Sequence, residues 1–249
     1  MTWFMMQEMY ETDWSKGGWD YMMCFSHVRY SDDEGESWER GISQLNASVE
    51  QGRRGLFPFE EPSVAEFSNG ELFMAARTNL GRLFDSQSTD GGVNWFRPEP
   101  MNLASSYAPP AVERIPGTDE LLMVWSQASP WEQRNGLRRH RLSMAISEDR
   151  GKSWSHFRNL ESLDNITRIE PPELSEATDC EGPFSQPSDK RAYPRAPGPL
   201  RCAYPAATFL NNSVAVAYDH MIVDEQGNRL GLTAKVKVVP LDWIRAASP

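Results

Sequence analysis

Glu61 and Arg77 stand sixteen positions apart in the stretch 61–95, EPSVAEFSNGELFMAARTNLGRLFDSQSTDGGVNW. Glu61 heads a short apolar run at 64–67, Arg77 closes a second run at 71–77, and Asn69-Gly70 lies between. Asn-Gly is a strong hairpin signal, because a type I′ turn needs positive φ at both central residues. The stretch therefore reads as a hairpin whose open end carries a carboxylate beside a guanidinium. A carboxylate can serve as a base. A guanidinium offers a planar fork that binds a second carboxylate bidentately, which an ammonium cannot do. The competing reading is an ordinary ion pair on a strand. His27, His140, His156 and His220 are scattered without ligand spacing, so no metal and no cofactor are expected. Cys24, Cys180 and Cys202 are far apart and odd in number. A Cys180–Cys202 disulfide is conceivable, but free thiols fit better.

The element behind this hairpin is a third strand at 82–88, which closes on Ser88-Thr-Asp90-Gly-Gly92-Val-Asn-Trp95. That motif recurs. Ser31-x-Asp33-x-Gly35-x-x-Trp38 precedes it and Ser147-x-Asp149-x-Gly151-x-x-Trp154 follows, at spacings of 57 and 59 residues. Each copy stands behind a strand-like run, at 22–30, 82–87 and 142–146. Ser and Asp side chains can bond nearby backbone amides and hold a tight turn. Glycine supplies a backbone state that other residues resist, and the tryptophan is expected to plug the start of the next strand. Repetition at this period argues for repeated β-sheet units of the size of a four-stranded propeller blade. The aspartates of the motif are structural on this reading.

The remaining chain agrees. Its 249 residues hold nine Trp, 17 Gly and 18 Pro, which suits an aromatic-rich, turn-rich β protein. Strand hairpins are expected at 111–115 with 120–126, and at 203–210 with 213–220 around Asn211-Asn212. A strand at 139–147 leads into the third motif; its alternation puts Arg139 and Arg141 on one face and Arg138 on the other. A last strand at 230–239 precedes LDWIR. The segment 129–138 reads as a polar loop, and almost no helix is expected. Residues 163–199 are poor in apolar side chains and read as a long surface insertion, within which and just after which Arg191, Arg195 and Arg201 would be solvated. The net charge of −10 argues against nucleic acid or an anionic membrane as partner. No 18-residue apolar run and no signal peptide are seen, so the chain reads as soluble.

The three motifs resemble the Asp boxes of the sialidase superfamily, six-bladed β-propellers of four-stranded antiparallel blades. The resemblance extends from about residue 19 to residue 244, apart from the insertion. Glu61-Pro62, with Glu66, Gly70 and Arg77 following, resembles the family's segment for a catalytic glutamate and one arginine of a carboxylate-binding triad. Arg139-His-Arg-Leu142-Ser resembles the segment for a second triad arginine. Cys202-Ala-Tyr204-Pro205 resembles the segment of the nucleophilic tyrosine. The resemblance implies an all-β, single propeller domain over 1–249. About four blade-sized units fit, with the family's opening blades missing.

It also implies an exo-α-sialidase-like glycoside hydrolase that retains anomeric configuration. A neutral tyrosine suits a substrate that carries a carboxylate on its anomeric carbon, and sialidases depart in this way from the two-carboxylate scheme. Tyr204 would be the nucleophile and Glu61 its base, since a phenol at pKa about 10 needs one. Arg77 and Arg139 would clamp the carboxylate of a sialylated or other acidic glycan. The family's acid/base aspartate lies upstream of the Glu-Pro segment; Asp13, Asp20 and Asp32 do not match it, and none is assigned. The alternatives are a hydrolase of another acidic sugar, and a non-enzymatic carbohydrate-binding propeller. Taken alone, Tyr204 would read as a packed core aromatic.

Overall fold

The computed structural model describes residues 2–10, 23–49, 56–134, 137–174, 198–226 and 228–246. Its first sheet joins β1 (Thr2–Tyr10), β2 (Met23–Ser31) and β3 (Glu39–Arg40), and a small ladder pairs β4 (Ala47–Ser48) with β5 (Leu56–Phe57). A four-stranded sheet follows, from β6 (Glu60–Glu66), β7 (Leu72–Arg77), β8 (Arg82–Ser88) and β9 (Glu99–Ala104). A second one contains β10 (Ala111–Arg114), β11 (Leu121–Ser126), β12 (Leu142–Ser147) and β13 (Ser155–Glu161). The last sheet is β14 (Gly198–Leu210), β15 (Ser213–Val223) and β16 (Thr233–Pro240). Neighbouring strands within the sheets are antiparallel and adjacent in sequence. The architecture is that of a β-propeller, with four blade-sized units among the described residues.

The central strands explain why the sheets stack. Every residue of β7 and β11 is buried. Alternate side chains point to opposite faces of a strand, so a strand covered on both faces must be apolar throughout. Phe73 and Ala75 of β7 meet Leu121, Met123 and Trp125 of β11 in one core, closed by Trp154 and Phe157. Leu72, Met74 and Ala76 face the other way, towards Val28, Leu45, Phe59 and Trp95. From β11, Leu122 and Val124 face Val214, Val216, Tyr218 and Cys202 of the last sheet. The helix α2 (Leu241–Arg245) seals that core with Leu241 and Ile244. The far side of the last sheet is open: Leu210, Val236 and Val238 are all exposed.

The three repeats form three matching turns. In the second, Ser88 Oγ donates to Asp90 Oδ1 at 2.9 Å and accepts from Gly92 N at 2.9 Å, and Asn94 N donates to Asp90 Oδ1 at 2.9 Å. The same bonds recur at Ser31, Asp33, Gly35 and Ser37, and at Ser147, Asp149, Gly151 and Ser153. These donors hold the Asp33 carboxyl down at about 2, with Ser37 as the leading cause. Trp95 and Trp154 are buried plugs as expected, but Trp38 is 37 % exposed. A fourth turn of this kind is invisible in the motif. Asn228 N and Nδ2 donate to Asp224 Oδ1 and Oδ2 at 2.8 and 3.0 Å, with Ile222, Gln226 and Arg229 in place of the Ser, Gly and Trp.

Several local expectations change. Asn69 does not take positive φ; Gly70 alone does, at +82°. The turn closes through Gly70 N to Phe67 O and Phe67 N to Glu71 O, so the loop is one residue longer than a type I′ hairpin. The loop at 129–138 contains the helix α1 (Pro130–Arg134). Its signal is a capping box: Ser129 N donates to the Glu132 carboxylate at 2.7 Å, Glu132 N donates to Ser129 Oγ at 3.2 Å, and Pro130 takes the first helical position. The strand expected at 139–147 starts only at Leu142. Of the 163–199 segment, the described part up to residue 174 is held against the body rather than looping free. Gln127 Nε2 donates to Thr167 O, Ile169 N donates to Gln127 Oε1, and Leu174 packs on the core of Val28 and Leu72. Residues 175–197, with Cys180, Arg191 and Arg195, lie outside the described residues. Cys202 is a free, buried thiol pushed up to about 12 by burial.

Candidate active site

The starts of β6, β10, β12 and β14 and the end of β7 lie at one end of the sheet stack, and the Asp-box turns at the other. A strand of six or seven residues separates the two ends by roughly 20 Å. The Asp-box aspartates therefore stand away from the site, and this removes Asp32, which lies in the first box, from the acids considered above. Asp13 and Asp20 lie outside the described residues.

Glu61 and Tyr204 reach the site through the same backbone device. Register shifts mark bulges between Glu60 and Ser63 in β6 and between Ala203 and Ala206 in β14. Within them Glu61 has φ +45° and Tyr204 has φ +55°. Both residues precede a proline, Pro62 and Pro205. Positive φ is costly for non-glycine residues, and a bulge turns a side chain away from the normal alternation. Each bulge thus aims a polar side chain out of the end of a sheet that otherwise faces a core.

Arg77 is the hub. Its Nε and Nη2 donate to Glu60 Oε2 at 3.1 and 2.8 Å. Tyr107 donates its phenol proton to the same oxygen, and the Arg77 guanidinium lies over the Tyr107 ring at 4.2 Å. The remaining nitrogen, Nη1, stands 2.8 Å from Glu61 Oε2 and donates to the Tyr204 hydroxyl at 3.4 Å. Side-chain exposure is 10 % for Arg77, 1 % for Glu60 and 35 % for Glu61. Burial raises the Glu61 carboxyl above its usual range, Arg77 pulls it back, and the neighbouring Glu60 charge adds to the rise. Burial works against the Arg77 cation too, but Tyr107, Glu60, Glu61 and Tyr204 together hold it protonated.

Arg139 stands over the Tyr204 ring at 5.2 Å. Backbone bonds bring the two together: Arg139 pairs with Arg201 in a short parallel bridge, and Cys202 N donates to Arg139 O at 2.6 Å. Its Nη2 donates to Tyr107 O at 2.9 Å, and among the described residues it makes no ion pair with a carboxylate. Burial lowers its pKa, and the positive charges of Arg201 and Arg77 add to that, although the Tyr204 oxygen opposes them. The site thus unites all four residues named from the sequence, Glu61, Arg77, Arg139 and Tyr204.

Three further residues belong to it. Glu60 and Tyr107 hold Arg77; no spacing marked them, although Glu60 adjoins Glu61 in the chain. Arg201, expected to be solvated, lies over Tyr204 at 5.5 Å and pairs with Asp219 at 2.9 Å. Arg141 goes elsewhere. Residues 138–141 precede β12, so strand alternation does not govern them, and Arg141 is buried between Glu132 and Asp164 at 2.9 and 2.7 Å. Glu132, His140 and Asp164 come within metal-ligand reach of one another, with Arg141 Nη2 bonded to both carboxylates. A guanidinium there neutralises the cluster, so these residues are a salt-bridge network rather than a cation cage. Burial opposes the Glu132 charge, yet bonds from His140 and Arg141 keep its pKa well below the usual range.

Among solved structures, the chain resembles a protein of unknown function from Dyadobacter fermentans, at 18% identity and a TM-score of 0.54, over 94% of this chain and 50% of that one. It also resembles the intramolecular trans-sialidase of Ruminococcus gnavus, at 16% identity and 0.53, over 89% of this chain and 39% of that one. A third is an α-L-arabinanase of Penicillium chrysogenum, at 15% identity and 0.52, over 90% of this chain and 57% of that one. The chain thus spans about half the length of these proteins, and at such identities the likeness speaks for the fold alone. No curated protein sequence matches it. The family model of the BNR repeat-like domain matches residues 17–229. With three Asp-box turns on antiparallel blades, the chain belongs to the BNR repeat-like family and has the fold of a sialidase-like β-propeller.

Proposed function

We propose that this protein is a retaining glycoside hydrolase of terminal acidic sugars, with sialic acid glycosides as the first substrate to test. The observation that carries this reading is Arg139. Among the described residues this largely buried guanidinium has no carboxylate partner, a costly state whose cost falls when an anion binds. That vacancy for negative charge lies against the ring of Tyr204. Glu61, half-buried and linked to Tyr204 through one nitrogen of Arg77, is the base that takes the phenol proton. The Tyr204 oxygen then attacks the anomeric carbon as the glycosidic bond breaks, and water later releases the sugar from tyrosine. Arg139, with Arg77 beside it, holds the substrate carboxylate.

Among the described residues, the carboxyls gathered at Tyr204 are Glu60, Glu61 and Asp219, each paired with an arginine. The leaving group is therefore best chosen to depart without a proton donor. The test is hydrolysis of a 4-methylumbelliferyl sialoside by the parent chain and by Tyr204→Phe. Release that Tyr204→Phe abolishes is expected. Equal release by both proteins would remove Tyr204 as nucleophile.

A second reading rests on Glu60. Its charge neutralises Arg77, which leaves one uncompensated guanidinium rather than two, and one structural neighbour is an arabinanase. Release from an aryl α-L-arabinofuranoside, with none from the sialoside, would move the assignment to a neutral sugar.

A further inference from the structure

Glu60, Arg77 and Glu61 form a three-membered switch in which two carboxylates share one guanidinium unequally. Glu60 takes Nε and Nη2, with Tyr107 bonded to the same Glu60 oxygen from the other side. Glu61 has only Nη1, at 2.8 Å, and that contact lacks the alignment of a hydrogen bond. Glu60 is almost wholly buried and bonded three ways, whereas Glu61 is 35 % exposed and held once. An incoming carboxylate that approaches Arg77 can therefore displace Glu61 but not Glu60.

Resting on the reading that an acidic sugar binds here, we propose that the substrate's carboxylate competes with Glu61 for Nη1 of Arg77, so that binding itself releases Glu61 to act as the base for Tyr204. Glu60 and Tyr107 are positioning residues: by filling the other edge of Arg77 they force the competition onto Nη1. The charged and titratable groups that face Glu61 are Arg77 from β7, its neighbour Glu60, Arg139 ahead of β12, and Tyr204 from β14, with Tyr107 behind Glu60 and Arg201 behind Tyr204. Arg77 opposes protonation of Glu61, and Glu60 favours it. Once Arg77 is satisfied by a ligand, Glu61 gains proton affinity. In the catalytic cycle that proton comes from Tyr204, whose oxygen becomes the nucleophile. A neutral ligand leaves Glu61 on Arg77 and its proton affinity unchanged.

The test reads protons rather than turnover. The Tyr204→Phe protein, which leaves the ligand intact, is titrated at pH 6 with the methyl α-glycoside of N-acetylneuraminic acid by calorimetry in two buffers of different ionisation heat. The methyl ester of the same glycoside is the neutral control. Net proton uptake with the acid and none with the ester is expected. Adding Glu61→Gln should abolish uptake while binding persists. Adding Glu60→Gln should also abolish it, because Arg77 then has a free edge and can keep Glu61 while it binds the ligand. Binding of the acid without uptake overturns the switch and leaves the acidic-sugar reading standing. Uptake that survives Glu61→Gln or Glu60→Gln also overturns it. No binding of the acid removes both. Glu61→Gln leaves the buried Arg77–Glu60 pair intact, so the test holds even where Glu60→Gln folds poorly.

Discussion

Glu61 and Tyr204, 143 residues apart in the chain, share one backbone state: each sits at positive φ in a β-bulge, directly before a proline, and each reaches the same nitrogen of Arg77. Strained backbone concentrates where a side chain must be held against its normal alternation, and the surrounding sheet supplies the constraint. The pairing of the two strained residues on one guanidinium ties the strain to the site.

The strain can be isolated by substitution. Glycine accepts positive φ without a Cβ penalty, whereas alanine does not. Tyr204→Gly should therefore be more stable than Tyr204→Ala by about 1 kcal/mol, and Glu61→Gly should exceed Glu61→Ala by a similar amount. Urea unfolding of the four variants measures both differences. Alanine variants as stable as the glycine ones would show that neither bulge is strained.

The Arg77–Glu60 pair is nearly shielded from water. Glu60→Ala removes the partner of Nε and Nη2 and leaves a buried guanidinium with only the loosely held Glu61. It should cost about 3 kcal/mol or more in stability. Tyr107→Phe removes one hydrogen bond to a charged acceptor and should cost about 1.5–3 kcal/mol. Both are measured by chemical denaturation.

Glu61 acts as a base only when ionised. Its carboxyl lies above the usual range, chiefly through burial. Activity should therefore fall as pH drops through a value higher than that of an exposed glutamate. Glu61→Gln should lower kcat/KM by about 10²- to 10⁴-fold and erase this acid limb. A pH profile of aryl sialoside hydrolysis by both proteins decides it; an acid limb that persists in Glu61→Gln assigns the titration to another group.

Two glycines in turns should behave differently. A Cβ at Gly151, which has φ +94°, would lie 2.3 Å from the Phe73 ring, whereas Gly70, at φ +82°, has open space around it. Gly70→Ala should cost only the backbone term of about 1 kcal/mol. Gly151→Ala adds a clash between the third Asp box and a neighbouring sheet and should cost about 3 kcal/mol. Thermal and urea midpoints separate the two.

Asp85 on β8 gives stability a pH dependence of its own. Burial, with the Glu99 charge adding to it, pushes its carboxyl up to about 7. The folded state therefore holds a proton that the unfolded chain releases near pH 4. Stability from this group is present below the unfolded value and is lost as pH rises through about 7, by up to about 1.4 kcal/mol per pH unit in between. Asp85→Asn should flatten the curve between pH 5 and 7, as read by urea unfolding at several pH values.

What the amino-acid sequence determined by itself is local and periodic. The Asp-box turns follow from Ser, Asp and Gly at fixed offsets, since their bonds span at most four residues. The runs Leu-Phe-Met-Ala-Ala and Leu-Leu-Met-Val-Trp declare strands buried on both faces. The resemblance of the Glu61, Arg77, Arg139 and Tyr204 segments to known ones was also legible, and the fold brings these four residues together. The turn at Asp224 escaped because the Ser, Gly and Trp positions of the motif are all replaced, and what remains is the aspartate and a donor four positions on, Asn228, at a position the motif leaves open. Glu60 and Tyr107 escaped because their partners lie 17 or more residues away, and Arg201 because it is a bulge in β14 that brings the Tyr204 ring to it, and its carboxylate partner Asp219 stands 18 residues on. Tertiary structure alone decided how Arg77 is shared, which arginine has no carboxylate partner among the described residues, and which of the two glutamates is held less firmly. Those outcomes depend on the packing of separate strands at one end of the stack, where burial sets the cost of each unpaired charge.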